Sequence, residues 1–263
     1  MTKKRMGLWT YMLTRCRERA TGAILGVYVV LCLASAVYFT VCFHARSLAM
    51  SLCFMLFAPL LLVAEHLIGC RFGGGLLGGV LFVALGAIAG SSFDLYVTVP
   101  FFDTVLHGLS GVLFASVGFG VARRCFGASR GRAAFVGCLL FAVCFSLAVA
   151  LVWELFEYAC TVLLGIDMMD DTFVSEIRSH VLAGTRTQLV TIDGITETVI
   201  RYADGKTYTL AGYLDLGLID TVSDMIICTV GAGLFALLAL IGHTRAPRLL
   251  AAVTPTLTRT AED

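Results

Sequence analysis

Six ionisable residues stand in stretches of the chain that are otherwise apolar: Asp103 and His107, Glu154 and Glu157, Asp220 and Asp224. Each pair is spaced i,i+3 or i,i+4, so on a helix its two members share one face. Five carboxylates and one imidazole form a hard, oxygen-rich donor set that would suit a divalent cation, Mg²⁺, Mn²⁺ or Zn²⁺. His107, Asp103, Asp220 and Asp224 are the candidate metal ligands, and Glu154 or Glu157 is the candidate catalytic base. No Lys or Arg falls inside these three stretches. Packed together, the carboxylates cannot all stay ionised unless shared protons, His107 or a bound cation compensates them. The structural alternative is a polar network that locks three helices together by hydrogen bonds. Six ionisable groups exceed what helix association needs, which favours a site.

The elements that must carry these residues are membrane helices. The chain is 59% hydrophobic and only 14% charged, against roughly 25% charged in soluble domains. A span needs about 20 mostly apolar residues to cross about 30 Å of hydrocarbon. Candidate spans are 22–43, 48–68, 74–92, 102–121, 134–164 and 218–242. The fold class is therefore an all-α polytopic membrane protein, a six-helix transmembrane bundle with a small extracytoplasmic β-hairpin or meander insertion. Its organisation is a basic interfacial N-terminus (1–21), helices one to five (22–165), an extracytoplasmic loop (166–217), helix six (218–242) and a cytoplasmic tail (243–263). No basic face exists outside the flanks of the apolar blocks, which argues against nucleic acid as a partner. The lipid bilayer is the expected one.

The N-terminus imitates a signal peptide, with Lys3, Lys4 and Arg5 followed by Ala34-Ser35-Ala36. The apolar run continues to Phe43, too long for an h-region, so it reads as an uncleaved first span. Residues 6–20, with Trp9 and Tyr11 ahead of Arg15, Arg17 and Arg19, suggest a short interfacial helix. The ten cysteines form no CxxC pair and read as small apolar residues within helices. Glu65 and His66 read as an interfacial edge. Gly75/Gly79 and Gly86/Gly90 give the third span two GxxxG packing patterns. Ser110, three residues after His107, makes a weak Ser/His nucleophile pair, a spacing common by chance.

Orientation follows the basic residues of the short connections. With both ends inside, Lys3, Lys4, Arg5, Arg15, Arg17, Arg19, Arg71, Arg123, Arg124, Arg130, Arg132, Arg245, Arg248 and Arg259 are cytoplasmic, 14 of the 19 basic residues. This places the acidic pairs of spans four, five and six in the outer leaflet. Counting about 1.5 Å per residue, His107, Glu154 and Asp224 form a deeper layer. Asp103, Glu157 and Asp220 lie one turn closer to the outer surface. Five acids facing lipid would cost on the order of 10 kcal/mol, so they should face the bundle interior or a wet cavity. In the outer loop, Asp193-Gly194 and Asp204-Gly205 separate β-rich runs at 187–192, 195–202 and 207–210, which predicts hairpins at both. Eight acids in that loop face four bases, which suits a solvated lid or a substrate-binding module.

At these residues the chain resembles a known group. Phe93-Asp-Leu-Tyr96-Val-Thr-Val-Pro100-Phe-Phe-Asp103-x-x-x-His107-x-x-Ser110-Gly111, Trp153-Glu154-x-x-Glu157 and Asp220-Thr-x-x-Asp224 are similar, in that order, to the YjdF-like bacterial inner-membrane family. That family is itself similar in layout to VanZ-like membrane proteins. The resemblance covers roughly 75–165 and 212–240. It implies a multi-pass plasma (inner) membrane protein and brings no established activity. Three functions fit the cluster, ranked in this order. The first is a cation-dependent enzyme on lipid-linked, isoprenoid-linked or envelope substrates. The second is a non-enzymatic envelope or drug-resistance accessory protein. The third is a proton- or cation-coupled transporter, although no internal repeat supports that architecture.

Overall fold

The computed structural model describes residues 6–126, 131–246, 248, 250 and 253–257. Lys3, Lys4, Arg5, Arg130 and Arg259, which enter the orientation argument, lie outside the described residues. In chain order the elements are α1 (Leu8–Arg17), α2 (Arg19–Val41), α3 (Ala45–Met55), α4 (Phe57–Ile68), β1 (Cys70–Arg71), α5 (Gly74–Ser92), α6 (Leu95–Thr98) and α7 (Phe102–Cys125). They continue with α8 (Arg132–Leu164), β2 (Thr172–Val174), β3 (Ile177–Ser179), α9 (His180–Ala183), β4 (Val190–Ile192), β5 (Thr198–Arg201), β6 (Thr207–Leu210), β7 (Tyr213–Asp215), α10 (Leu218–Arg245) and β8 (Thr256–Leu257). The chain forms two compact units, one of residues 1–150 with 226–263 and one of residues 151–225.

Among the described residues, six helical segments are long and apolar enough to cross a membrane: Arg19–Val41, Ala45–Ile68, Gly74–Ser92, Phe102–Cys125, Arg132–Leu164 and Leu218–His243. These are the six spans expected from the sequence, and the protein is a polytopic helical membrane protein. The second differs in detail, being two helices that meet at Leu56. Pro59 causes the break: it has no N–H to give the Met55 carbonyl, and its ring crowds that carbonyl. At 33 residues, α8 is about 50 Å long. That exceeds the hydrocarbon thickness, so part of it must tilt or project.

In the larger unit, helices approach through small residues. A Cβ on Gly79 would meet Leu113 at 2.8 Å, and one on Gly86 would meet Leu106 at 2.5 Å. Gly90 gives up its side-chain space to the Tyr96 ring. Gly75, expected to pack likewise, has nothing within 4 Å of an added Cβ. A close crossing joins α7 and α10, where a Cβ on Gly231 would lie 2.2 Å from the Gly108 carbonyl oxygen. A Cβ on Gly111 would lie 2.3 Å from that of Cys228. Below this crossing Ala115, Phe119 and Ala122 pack with Leu139, Ala142, Ala232, Phe235 and Ala239 in a buried core. Matching 108 with 227, then 119 with 235, means that α7 and α10 run parallel. Phe119 meets Phe135, and the Gly111 carbonyl accepts a 2.9 Å hydrogen bond from Ser146, so α8 runs antiparallel to α7.

The tail expected over 243–263 is not simply free: β8 pairs antiparallel with β1. Pro255 fills the space left by Gly120, and Ser116 donates a 2.6 Å hydrogen bond to the Val253 carbonyl. Hydropathy could not have signalled this, because the contact needs only a glycine notch and a proline.

The smaller unit contains the insertion as three two-stranded antiparallel pairs, β2 with β7, β3 with β4 and β5 with β6. The Asp204-Gly205 hairpin forms between β5 and β6, with Gly205 at φ +83°. The hairpin expected at Asp193-Gly194 does not: β4 pairs with β3, Ile177 opposite Ile192. Asp193 turns its carboxylate onto the Gly194 N–H at 2.7 Å, and the Ile195 N–H goes to the Ser175 carbonyl at 2.8 Å. The chain beyond this turn is thereby drawn to the β3 side. The β2–β7 pair closes the base of the insertion, and its short strands carried no sequence signal.

Candidate functional site

The approach to α7 is unusual. Asp94 and Phe101 both have left-handed backbone, φ +57° and +60°. For a bulky aromatic such as Phe101 this conformation is strained. Between them α6 turns the chain, anchored by Tyr96 in the Gly90 notch and by its ring contact with Phe102 at 5.8 Å. Asp103 follows in the first turn of α7, where the helix dipole favours a negative charge.

One turn on, His107 Nε2 lies 3.5 Å from Asp103 Oδ1. That is close for an ion pair and long for a hydrogen bond. The His107 side chain is 12% exposed and Asp103 30%. Beneath the imidazole is Cys228, whose thiol donates to the His107 carbonyl at 3.3 Å and lies 3.7 Å from Nδ1. Ser110 Oγ donates to the same carbonyl at 2.8 Å. The Ser110 hydroxyl is thus directed to the backbone of its own helix, which removes the Ser/His nucleophile reading. Cys228 was missed as a site neighbour; its signal was its spacing, i+4 from Asp224.

In the smaller unit, Glu154, Glu157 and Asp224 are all buried. Asp220 is half-buried, and its Oδ2 accepts the Asp170 N–H at 3.0 Å. Asp215 likewise accepts the Ile219 N–H at 2.8 Å and so caps the start of α10. Burial, with the charges of Asp167 and Asp215, pushes the Asp171 carboxyl above its usual range. The six predicted residues are therefore divided: Asp103 and His107 meet in the larger unit, and the other four belong to the smaller.

A second polar centre was not anticipated. Glu65, expected at an interfacial edge, is fully buried. Arg15 grips it with two hydrogen bonds, Nε to Oε2 at 2.9 Å and the second guanidinium NH to Oε1 at 2.8 Å. Tyr11 Oη donates to Oε2 at 3.0 Å, and the Phe72 N–H to Oε1 at 2.5 Å. The rest of the Arg15 guanidinium reaches Thr21 Oγ1 at 3.0 Å, the Phe72 carbonyl at 2.9 Å, and Glu18, which also pairs with Arg71. Burial works against the Arg15 charge, but hydrogen bonding and attraction from Glu65 outweigh it and raise its pKa. Burial also opposes the Glu18 charge, yet Arg15 and Arg71 hold that carboxyl below its usual range. Burial and the Glu65 charge push the Tyr11 hydroxyl far up.

No curated protein and no solved structure matches the chain. The family described as "Predicted membrane protein (DUF2238)" matches residues 22–245, so the chain belongs to that family.

Proposed function

We propose that this is a multi-pass bacterial plasma-membrane protein, both ends cytoplasmic, that binds one divalent cation in its outer leaflet through Asp103, His107 and Asp224. The Asp103–His107 pair at 3.5 Å carries the reading, because it sets an oxygen and a nitrogen donor on one face of α7. Helix register supports the third ligand. Asp224 stands one turn before Cys228 on α10 as Asp103 stands one turn before His107 on α7, and that matched i,i+4 spacing supports Asp224 as the third ligand. The count of about 1.5 Å per residue from the cytoplasmic flank supports Glu154 and Glu157 as bases in the same leaflet.

Asp220 serves the insertion in this reading rather than the cation, since its Oδ2 holds the Asp170 amide. The cation would polarise a phosphoryl or carbonyl oxygen, as hard divalent ions do. Glu154 or Glu157 would accept the proton of the attacking group. A site at this depth suits lipid-linked or other envelope substrates. The finer resemblance to YjdF-like inner-membrane proteins rests on the same three motifs.

Thermal unfolding of the purified full chain, with and without Mn²⁺ or Zn²⁺, tests the reading. A ligand at 100 times its Kd stabilises by about 2.7 kcal/mol, so the unfolding midpoint should rise by several degrees and stay level in His107→Ala. A midpoint indifferent to every divalent ion would end the cation reading.

A further inference from the structure

The end of the larger unit that carries the arginines of α7, α8 and α10 holds a cavity of about 1750 Å³. It is lined by Arg123, Arg132 and Arg245, and by apolar side chains among which are Phe126, Phe141 and Leu240. No carboxylate is among the described residues that line it. The three arginines are exposed, and Arg123 stands over the Phe119 ring with its Cζ 6.0 Å from the centroid. His243 stacks on Phe135 in the same wall, centroids 4.1 Å apart.

From this juxtaposition we infer that the cavity binds an anionic phospholipid, phosphodiester against the arginines and acyl chains along the phenylalanines. The positive-inside tendency explains why basic residues collect at one end of a membrane helix bundle. It does not require three of them, from three helices, to border one cavity whose other walls are apolar. That pairing of charge with hydrocarbon matches a lipid and not a free anion, which would gain nothing from the aromatic floor. The volume also exceeds the 300–1,000 Å³ typical of small-molecule pockets. Helix ends lie at headgroup level, so the occupant would enter sideways from the bilayer. The inference is independent of the cation site, which involves none of these residues.

Native mass spectrometry of the full chain tests it, with phosphatidylglycerol or phosphatidylethanolamine of matched acyl chains added. Wild type should retain the anionic lipid preferentially, and Arg123→Ala/Arg132→Ala/Arg245→Ala should lose that preference. At about five-fold per basic residue, the loss for three is about a hundred-fold. The triple Lys variant keeps the charge and should keep most of the preference. Arg132→Ala alone, at an exposed helix start, should fold and show a loss of about five-fold. Equal retention of the two lipids by wild type, or an unchanged preference in Arg132→Ala and the triple Ala variant, would overturn the proposal. So would competition by millimolar inorganic phosphate, which would mark an anion site without a lipid.

Discussion

The Arg15–Glu65 network and the Asp103–His107 pair are both ionisable groups among apolar helices, and they are built in opposite ways. At Glu65 every oxygen has a partner, and the charge of each acid is answered by an arginine. For Asp103 and His107 the sequence offers further acids, Glu154, Glu157, Asp220 and Asp224, and no Lys or Arg within 102–121, 134–164 or 218–242. A satisfied, charge-balanced network fixes structure. An acid-rich one, in the proposed reading, is suited to holding a cation.

The largest effect should come from breaking the balanced centre. Glu65→Ala leaves Arg15 buried without its carboxylate, which costs about 3–5 kcal/mol. Yield and thermal midpoint in detergent should fall sharply, whereas Asp103→Asn should leave both near wild type. A Glu65→Ala protein as stable as wild type would erase the distinction between the two centres. Next comes the scaffold of the candidate site. Gly231→Ala puts a methyl group against the Gly108 carbonyl, where backbone must move, at about 1–3 kcal/mol. It should also weaken any cation-dependent rise in midpoint, because the crossing positions Cys228 under His107; a normal rise would place the site elsewhere.

Smaller effects separate the centres by pH. Glu18 has a folded pKa below its ordinary value. Its contribution is therefore present above the ordinary carboxylate range and is lost as pH falls through the folded value. Melting curves should show stability dropping below about pH 4.5, with part of that drop missing in Glu18→Gln. The smallest effect is at Asp171, whose raised pKa makes its ionised form a penalty at neutral pH. That penalty grows as pH rises through the folded pKa and is absent below the unfolded one. Asp171→Asn should raise the midpoint slightly at pH 7 and leave it unchanged in acid, a difference that calorimetry can read.

The sequence spoke most clearly where one physical rule dominates. Apolar length alone located all six spans, because a bilayer imposes it. What stayed hidden depended on pairings across the chain. Glu65 lies 50 residues from Arg15, and a single acid at a span end resembles an interfacial edge until its partner is known. The Asp193-Gly194 turn carries a hairpin signal, yet β3 competes successfully for β4. Pro255 on Gly120 and Cys228 beneath His107 are contacts of shape, and no periodicity announces them.

The central claim is that the acid-rich centre binds a divalent cation. Titration of the purified full chain with Mn²⁺, followed by electron paramagnetic resonance, counts bound ions directly. One ion per chain in wild type, lost in both His107→Ala and Asp224→Asn but retained in Arg132→Ala, is the predicted result. No bound ion in wild type, or one that survives both ligand substitutions, would contradict it.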